Sequence, residues 1–285
     1  MTPITATIGA LTFAIDGSSP HTLASMQGWY SGAPKRVVVD DLPNANGASD
    51  VSTDYRGARV ITLSGLLSSV SVDDATTNVW AAFAALQTDG SPSLFTVTDA
   101  GGAKSCVVSV TINEITPLTD GLASYVLQLV ARDPVKYSAA RDTVTGLPVA
   151  GGGLQYNLFA GGAGGTLYYG ANGYLGRATL MNLGTARVWP KLLVLGGLTA
   201  GFFVQRLDTG QVVRYDRVIP DGSSLSVDFR TGEVLIDGLS DGSAYLTRYE
   251  FFSIGPGESV EVQFNAISGS SGTPTATFTN ADGYW

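Results

Sequence analysis

The sequence predicts a mainly β protein made of two strand-rich domains, and three observations predict it. Short apolar or alternating runs recur along most of the chain, punctuated by Asp-Gly, Thr-Gly and Gly-Pro-Gly turns. Only Asp73 to Leu86 carries helical spacing. The strands and that single helix do not alternate as βαβ units, which favours antiparallel sheets over a doubly wound one. A length of 285 residues leaves room for two domains. The expected division is 1–137, an antiparallel β domain with one helix and a long hairpin, then 138–181, a Gly-rich linker or insert, then 182–285, a second β domain.

In the first domain, Ile4 to Ile15 reads as one or two short strands closed by Asp16-Gly17. Lys35 to Asp40 and Tyr55 to Leu63 are the arms of a hairpin with an extended tip. Asp40, Asp41, Asp50 and Asp54 flank that tip. They lack the spacing of a metal loop and read as solvated hairpin ends. The helix over Asp73–Leu86 has Asp73 or Asp74 as its cap, and Val79, Phe83 and Leu86 on one face with Trp80 widening the stripe. Strands follow at Leu94 to Thr98, Lys104 to Ile115 and Leu122 to Ala131. The last runs into Asp133-Pro134-Val135-Lys136-Tyr137, where Pro134 has no N–H to give a ladder and must end the strand.

Gly161-Gly162-Ala163-Gly164-Gly165 lacks the Gly-Lys-Ser/Thr ending of a phosphate loop and reads as coil. From Asn182 onward short strands are expected at Val188 to Leu195 (with Pro190 implying an edge or bulge), Phe202 to Leu207, Val212 to Val218, Leu225 to Asp228, Glu233 to Ile236, Tyr245 to Tyr249, Val260 to Phe264 and Thr275 to Thr279. Close spacing with turns between them implies a sandwich or barrel. The terminal Tyr284-Trp285 is expected to be held by packing.

Composition excludes several function classes. Hydrophobic residues make up 44% and charged residues 14%, so the chain can build a core and does not read as disordered. A net charge of −8 argues against a nucleic-acid surface. The one cysteine, Cys106, can form no intrachain disulfide and reads as a buried thiol. The N-terminus has no secretory pattern and no apolar run nears the roughly 20 residues that span a bilayer, so synthesis in a cytoplasm and no membrane insertion are expected. No G-x-S-x-G elbow and no G-x-G-x-x-G is set between a strand and a helix, and there is no Walker A and no H-E-x-x-H. The sole histidine, His21, lies in a loop without a nucleophile motif. A pair of distant glycosidase carboxylates would leave no local signature, but the acidic residues here mostly sit in turns. No catalytic residue, cofactor or metal site is therefore assigned, and the chain is not expected to be an enzyme.

The order of several short motifs resembles the distal tail proteins of long, flexible-tailed bacteriophages. Gly57-Ala58-Arg59-Val60-Ile61-Thr62-Leu63-Ser64-Gly65 is similar to the family's G-x-R-x-I-x-L-x-G strand. Asp133, Pro134 and Tyr137 are similar to its Asp-Pro-x-x-Tyr exit from the first domain. Asn182-Leu183-Gly184, Pro190, Gly196, Asp208-Thr209-Gly210, Leu225-Ser226-Val227-Asp228, Thr231-Gly232, Asp237-Gly238, Gly255-Pro256-Gly257 and Trp285 continue the likeness. The resemblance implies a virion structural protein at the tail tip, assembled in the bacterial host. It implies a first domain closing into a hexameric ring and a galectin-like β-sandwich outside it. The ring would join the tail tube protein to the tip hub or tail-associated fibre protein, with a tape-measure contact, and leave a channel for DNA. The galectin sugar motif (His…Asn-Pro-Arg…Trp) is not visible and the only histidine is in the first domain, so sugar binding by the second domain is not supported, although Tyr168, Tyr169 and Trp189 are aromatics able to stack on a sugar. Two other readings stay open: a different phage tail fibre or baseplate adaptor, assembling as a trimer, and a carbohydrate-binding module protein for host cell-wall sugars.

Overall fold

A computed structural model describes residues 4–36, 46, 55–68, 92–119, 121–152 and 172–285. The expected helix over Asp73–Leu86, the tip carboxylates Asp40, Asp41, Asp50 and Asp54, and Tyr168 and Tyr169 lie outside the described residues. The chain divides into two compact units, 1–139 with Tyr284–Trp285, and 140–283. Among the described residues both are built mainly of strands, as the turn-punctuated sequence implies.

The first unit holds β1 (Thr5–Ile8), β2 (Leu11–Ala14), β3 (His21–Gln27), β4 (Lys35–Arg36), β5 (Tyr55–Arg56), β6 (Arg59–Ser68), β7 (Ser93–Asp99), β8 (Gly102–Thr119), β9 (Leu122–Ala131) and β10 (Lys136–Tyr137). The strand order β8-β7-β1-β2-β3-β6-β9 returns to β8, because β8 and β9 also pair. The sheet is thereby closed into a barrel of seven strands. Closure is possible because β8 is 18 residues long. Its first part, Gly102 to Val108, pairs with β7, and its later part, Ser109 to Thr119, pairs with β9. A closed sheet leaves no unpaired edge around the ring of strands. The pairings are mainly antiparallel, as expected, with one exception: β2 pairs with β3 in parallel. Ile4 to Ile15 resolves into two strands, β1 and β2, which pair across Gly9-Ala10, and Asp16-Gly17 closes them before β3.

Alternation along each strand decides what fills the barrel. In β9, Ala123, Tyr125, Leu127, Leu129 and Ala131 are buried while their neighbours are less so. They pack with Phe13, Trp29, Ile61, Leu63, Phe95 and Val108 in one cluster. Each buried Val, Leu, Ile or Phe among them contributes about 1.5–3 kcal/mol by leaving water. Gly65 falls on the inward phase of β6, where a Cβ would come within 1.8 Å of the Thr22 carbonyl oxygen. Only a residue without a side chain lets β3 approach so closely there. The register of β3 on β6 shifts next to this point, and Tyr125 donates its hydroxyl to the same carbonyl at 3.2 Å.

Two other expectations change. The arm Tyr55–Leu63 is two strands, β5 and β6, parted by Gly57-Ala58; β5 pairs with β4 and β6 joins the barrel. Strand β8 runs past the expected end at Ile115 and takes in Pro117, which lies at a register shift. A bulge tolerates a residue with no N–H to donate.

The second unit holds β11 (Arg141–Gly146), β12 (Arg177–Met181), β13 (Lys191–Leu195), β14 (Phe202–Arg206), β15 (Val212–Tyr215), β16 (Ser224–Asp228), β17 (Val234–Ile236), β18 (Ser240–Asp241), β19 (Leu246–Tyr249), β20 (Ser259–Ala266) and β21 (Thr275–Asn280). They form two antiparallel sheets, β11-β21-β13-β16-β17-β18 and β12-β20-β14-β15-β19. Strands β12, β13, β20 and β21 alternate buried and less buried residues, so each sheet buries one face. The passage 138–181, expected as linker and coil, carries two paired strands at its described ends, β11 on β21 and β12 on β20. Pro190 marks neither an edge nor a bulge. It stands just before β13, which is flanked on both sides by β16 and β21. Asn182 ties this unit together: its buried amide donates to the carbonyls of Ala186 (2.8 Å), Ile254 (3.2 Å) and Gly255 (3.0 Å) and accepts from the amides of Gly184 (3.1 Å) and Gly283 (3.2 Å).

The chain ends in β22 (Gly283–Tyr284), which extends the barrel sheet beyond β10. The expected anchoring of the terminal aromatics is cationic as well as apolar. The Arg56 guanidinium lies 4.3 Å from the Trp285 ring centre and the Lys104 ammonium 5.0 Å from that of Tyr284.

Candidate functional site at the exit of the first unit

The exit segment Asp133-Pro134-Val135-Lys136-Tyr137 meets the start of β6. In β6 the inward phase is Arg59, Ile61, Leu63, Gly65 and Leu67. A barrel interior has no water to solvate a guanidinium, yet Arg59 is only 1% exposed. Backbone carbonyls replace the water at two of its three nitrogens, while Nη2 is buried without a hydrogen-bond partner among the described residues. Nη1 donates to Gly28 (2.7 Å), Ser31 (2.6 Å) and, more weakly, Trp29 (3.3 Å), while Nε donates to Pro134 at 3.0 Å. Gly28 makes the convergence possible. Its φ is +82°, and a Cβ there would meet the Val60 carbonyl oxygen at 1.9 Å. Two motifs about 75 residues apart in sequence are thus joined through one side chain.

Lys136 lies beside this node, 6% exposed. Its ammonium donates to the Trp29 carbonyl at 2.9 Å and sits 5.4 Å from the Trp29 ring centre. Trp29 in turn meets Phe95 edge-on at 5.3 Å. Asp133 accepts the Tyr137 hydroxyl at 2.7 Å and the Val135 amide at 3.2 Å, which closes the segment on itself. Among the described residues no carboxylate lies within ion-pair distance of Arg59 or Lys136. Burial, then the Arg59 charge, pushes the Lys136 ammonium from 10.5 down to about 8. Burial likewise lowers Arg59.

The sign of the resulting pH effect follows from linkage. The unfolded chain holds the Lys136 proton to higher pH than the folded chain does. The cost of burying the charge is carried in full below about pH 8 and is relieved as pH rises toward 10.5. The melting temperature of the wild type minus that of Lys136→Met is expected to grow more positive from pH 7.5 to 10. A difference that stays flat across that range in calorimetry would refute the assignment.

Cys106 is buried, and burial pushes its thiol up to about 12, so it is not a thiolate at neutral pH. His21 places Nδ1 3.2 Å from the Thr12 carbonyl oxygen and packs on Phe13, and burial lowers its pKa. Gly238-Leu239-Ser240-Asp241-Gly242 has the letters of a nucleophile elbow. Ser240, however, lies in the exposed two-residue strand β18 beside β17, and only a single 3-10 turn, Ser243–Tyr245, follows. Among the described residues no three His, Cys, Asp or Glu side chains cluster as metal ligands, and no helix is long and apolar enough to cross a membrane.

Of the exit residues read from sequence, Asp133, Pro134 and Tyr137 fall together here. Arg59 and Lys136 were each present only as letters of a motif. The signal for Arg59 was legible: a cation on the apolar phase of a strand. Lys136 had no such signal, because its burial depends on where the exit segment docks.

No protein-family model matches the chain, and no curated protein matches it. Solved structures do. The chain matches the SPP1 Dit protein, described as a paradigm of the hub adsorption apparatus in phages infecting Gram-positive hosts, over 99% of both chains, with a TM-score of 0.64 and 11% identity. The chain has a Dit-type fold. It also matches a chain of the phage P2 baseplate, in activated conformations with calcium and with strontium, over 98% of both chains, with a TM-score of 0.53 and 9% identity. At such identities the likeness to the Dit protein is one of fold, and it runs from end to end through both units.

Proposed function

We propose that this chain is a structural, non-enzymatic subunit of a bacteriophage tail tip. In this reading, 1–137 closes into a hexameric ring that joins the tail tube protein to the tip hub or fibre protein, contacts the tape measure and leaves a passage for DNA. The segment 182–285 is then a galectin-like sandwich carried outside the ring. Asp133, Pro134 and Tyr137 fix the direction in which the chain leaves the ring domain. The observation that carries the reading is the end-to-end match to the SPP1 Dit protein, which is itself described as a hub. Three features support it. A seven-stranded closed barrel is a rigid block that can repeat around an axis. The exit segment is pinned by hydrogen bonds, the one from Lys136 to the Trp29 carbonyl being buried, rather than left free. A net charge of −8 suits a conduit that passes DNA without holding it.

Light scattering behind size exclusion, over a concentration series, tests the ring. The expected mass is six times 29.5 kDa, with the tube protein added if the chain alone stays smaller. A trimer would favour a fibre or adaptor. A monomer that no tail component assembles would sink the reading.

A further inference from the structure

In the second unit an open cleft of about 510 Å³ is lined by Arg187, Trp189, Arg206, Gln211, Phe251 and Glu258, among others. That volume falls in the range of about 300–1,000 Å³ that holds small ligands. Arg187 and Trp189 are alternate residues on an extended stretch and are both exposed, so they stand on the same side of it. The carboxylates here are already committed. Asp208 receives Nε and Nη2 of Arg206 at 2.7 Å each, and these bonds hold its carboxyl below the usual range. Glu258 takes the same Arg206 Nη2 on one oxygen and the Gly255 amide on the other, while Arg206 Nη1 donates to the Ser253 carbonyl at 2.8 Å. Arg206, Asp208 and Glu258 therefore form a closed network.

The remaining groups are of one kind. Among the described residues Arg187 has no hydrogen bond or ion pair, so its forked donors are available. Gln211 uses its carbonyl oxygen to accept the Thr209 hydroxyl at 2.9 Å, which leaves its amide hydrogens for a ligand. Trp189 is 37% exposed; the Arg230 guanidinium lies over its ring, 5.5 Å from the centre, so the indole has one face left for a ligand and a second cation beside it. On a chain of net charge −8, this cleft offers donors and an indole but no uncommitted carboxylate.

We propose that this cleft binds an anionic saccharide, a pyranose ring bearing a carboxylate. The ring stacks on Trp189, the carboxylate takes the Arg187 fork, and a ring hydroxyl takes the Gln211 amide. A guanidinium matches a carboxylate in two parallel bonds, which a neutral sugar cannot use. A sugar acid is favoured over an acidic peptide because one rigid ring reaches all three groups without ordering a flexible chain. This ligand is independent of the assembly role.

The test is ligand-observed NMR titration of the full chain with trigalacturonate. Maltotriose, inorganic phosphate and an acidic tripeptide are run in parallel. Trigalacturonate is expected to bind with a Kd of about 1 mM and maltotriose at least about tenfold more weakly. Trp189→Ala is expected to weaken trigalacturonate about tenfold. Arg187→Gln is expected to abolish the preference for trigalacturonate over maltotriose. Arg187 is exposed and free of internal bonds, so its variant folds and decides the matter if Trp189→Ala does not. Absence of trigalacturonate binding at ten times that concentration overturns the proposal. So does tighter binding of phosphate or of the acidic tripeptide, or binding that neither variant changes.

Discussion

Arg59→Met is expected to destabilise the first unit by about 3–5 kcal/mol, the range for removing one partner of a buried charged network. Methionine matches the length and apolar bulk of the arginine stem but donates nothing. The carbonyls of Gly28, Ser31 and Pro134, which Arg59 holds at 2.6–3.0 Å, would then face a dry barrel end with no donor. Arg59→Lys is expected to fall between wild type and Arg59→Met. An ammonium keeps the charge, but its compact head cannot span the Pro134 carbonyl and the Gly28–Ser31 turn at once. Urea denaturation of the full chain, followed as two transitions if the units melt separately, gives the comparison. A methionine variant within about 1 kcal/mol of wild type would show that water takes over the arginine's role. A second consequence concerns Lys136. The Arg59 charge helps to lower it, so in Arg59→Met the lysine is expected to keep its proton to higher pH.

The second large effect is expected at Asn182→Ala, with a loss of about 3–4 kcal/mol from the second unit. The side chain is fully buried and shares its two amide hydrogens among the carbonyls of Ala186, Ile254 and Gly255. Its oxygen accepts the Gly184 and Gly283 amides. Alanine fills less space and satisfies none of these groups, and the site is buried too deeply for bulk water to replace it. Asn182→Asp has nearly the same shape and keeps the acceptor. It turns a negative charge toward three carbonyl oxygens, so it is expected to be at least as damaging at pH 7 and to recover in acid, where the carboxyl protonates. Calorimetry of both variants at pH 4 and pH 7 checks the pair. An aspartate variant as stable as wild type at pH 7 would contradict the donor role of the amide.

Much of the strand framework was legible because it is local. The run Leu122–Ala131 alternates inside and outside residue by residue, and its strand has those same bounds. The β-rich class and most strands of the second unit follow from turn residues and from period-two patterning, which need no knowledge of distant partners. The strand-breaking effect of Pro134 was legible for the same reason. Pro190 and Pro117 misled because proline fixes only its own φ and removes only its own donor. Whether that lands before a central strand or at a bulge is set by the neighbouring strands.

The sequence by itself determined that this protein is mainly built of strands and where most of them begin and end. Only the tertiary structure decided that seven strands close on themselves through an 18-residue β8. It alone decided that Arg59 and Lys136 meet the carbonyls of a glycine-led turn, and that the final two residues return to the first unit. The physical reason is range. Patterning is written by neighbours one or two residues apart. Closure, buried cations and a docked C-terminus depend on partners tens to hundreds of residues away, whose positions no local period encodes.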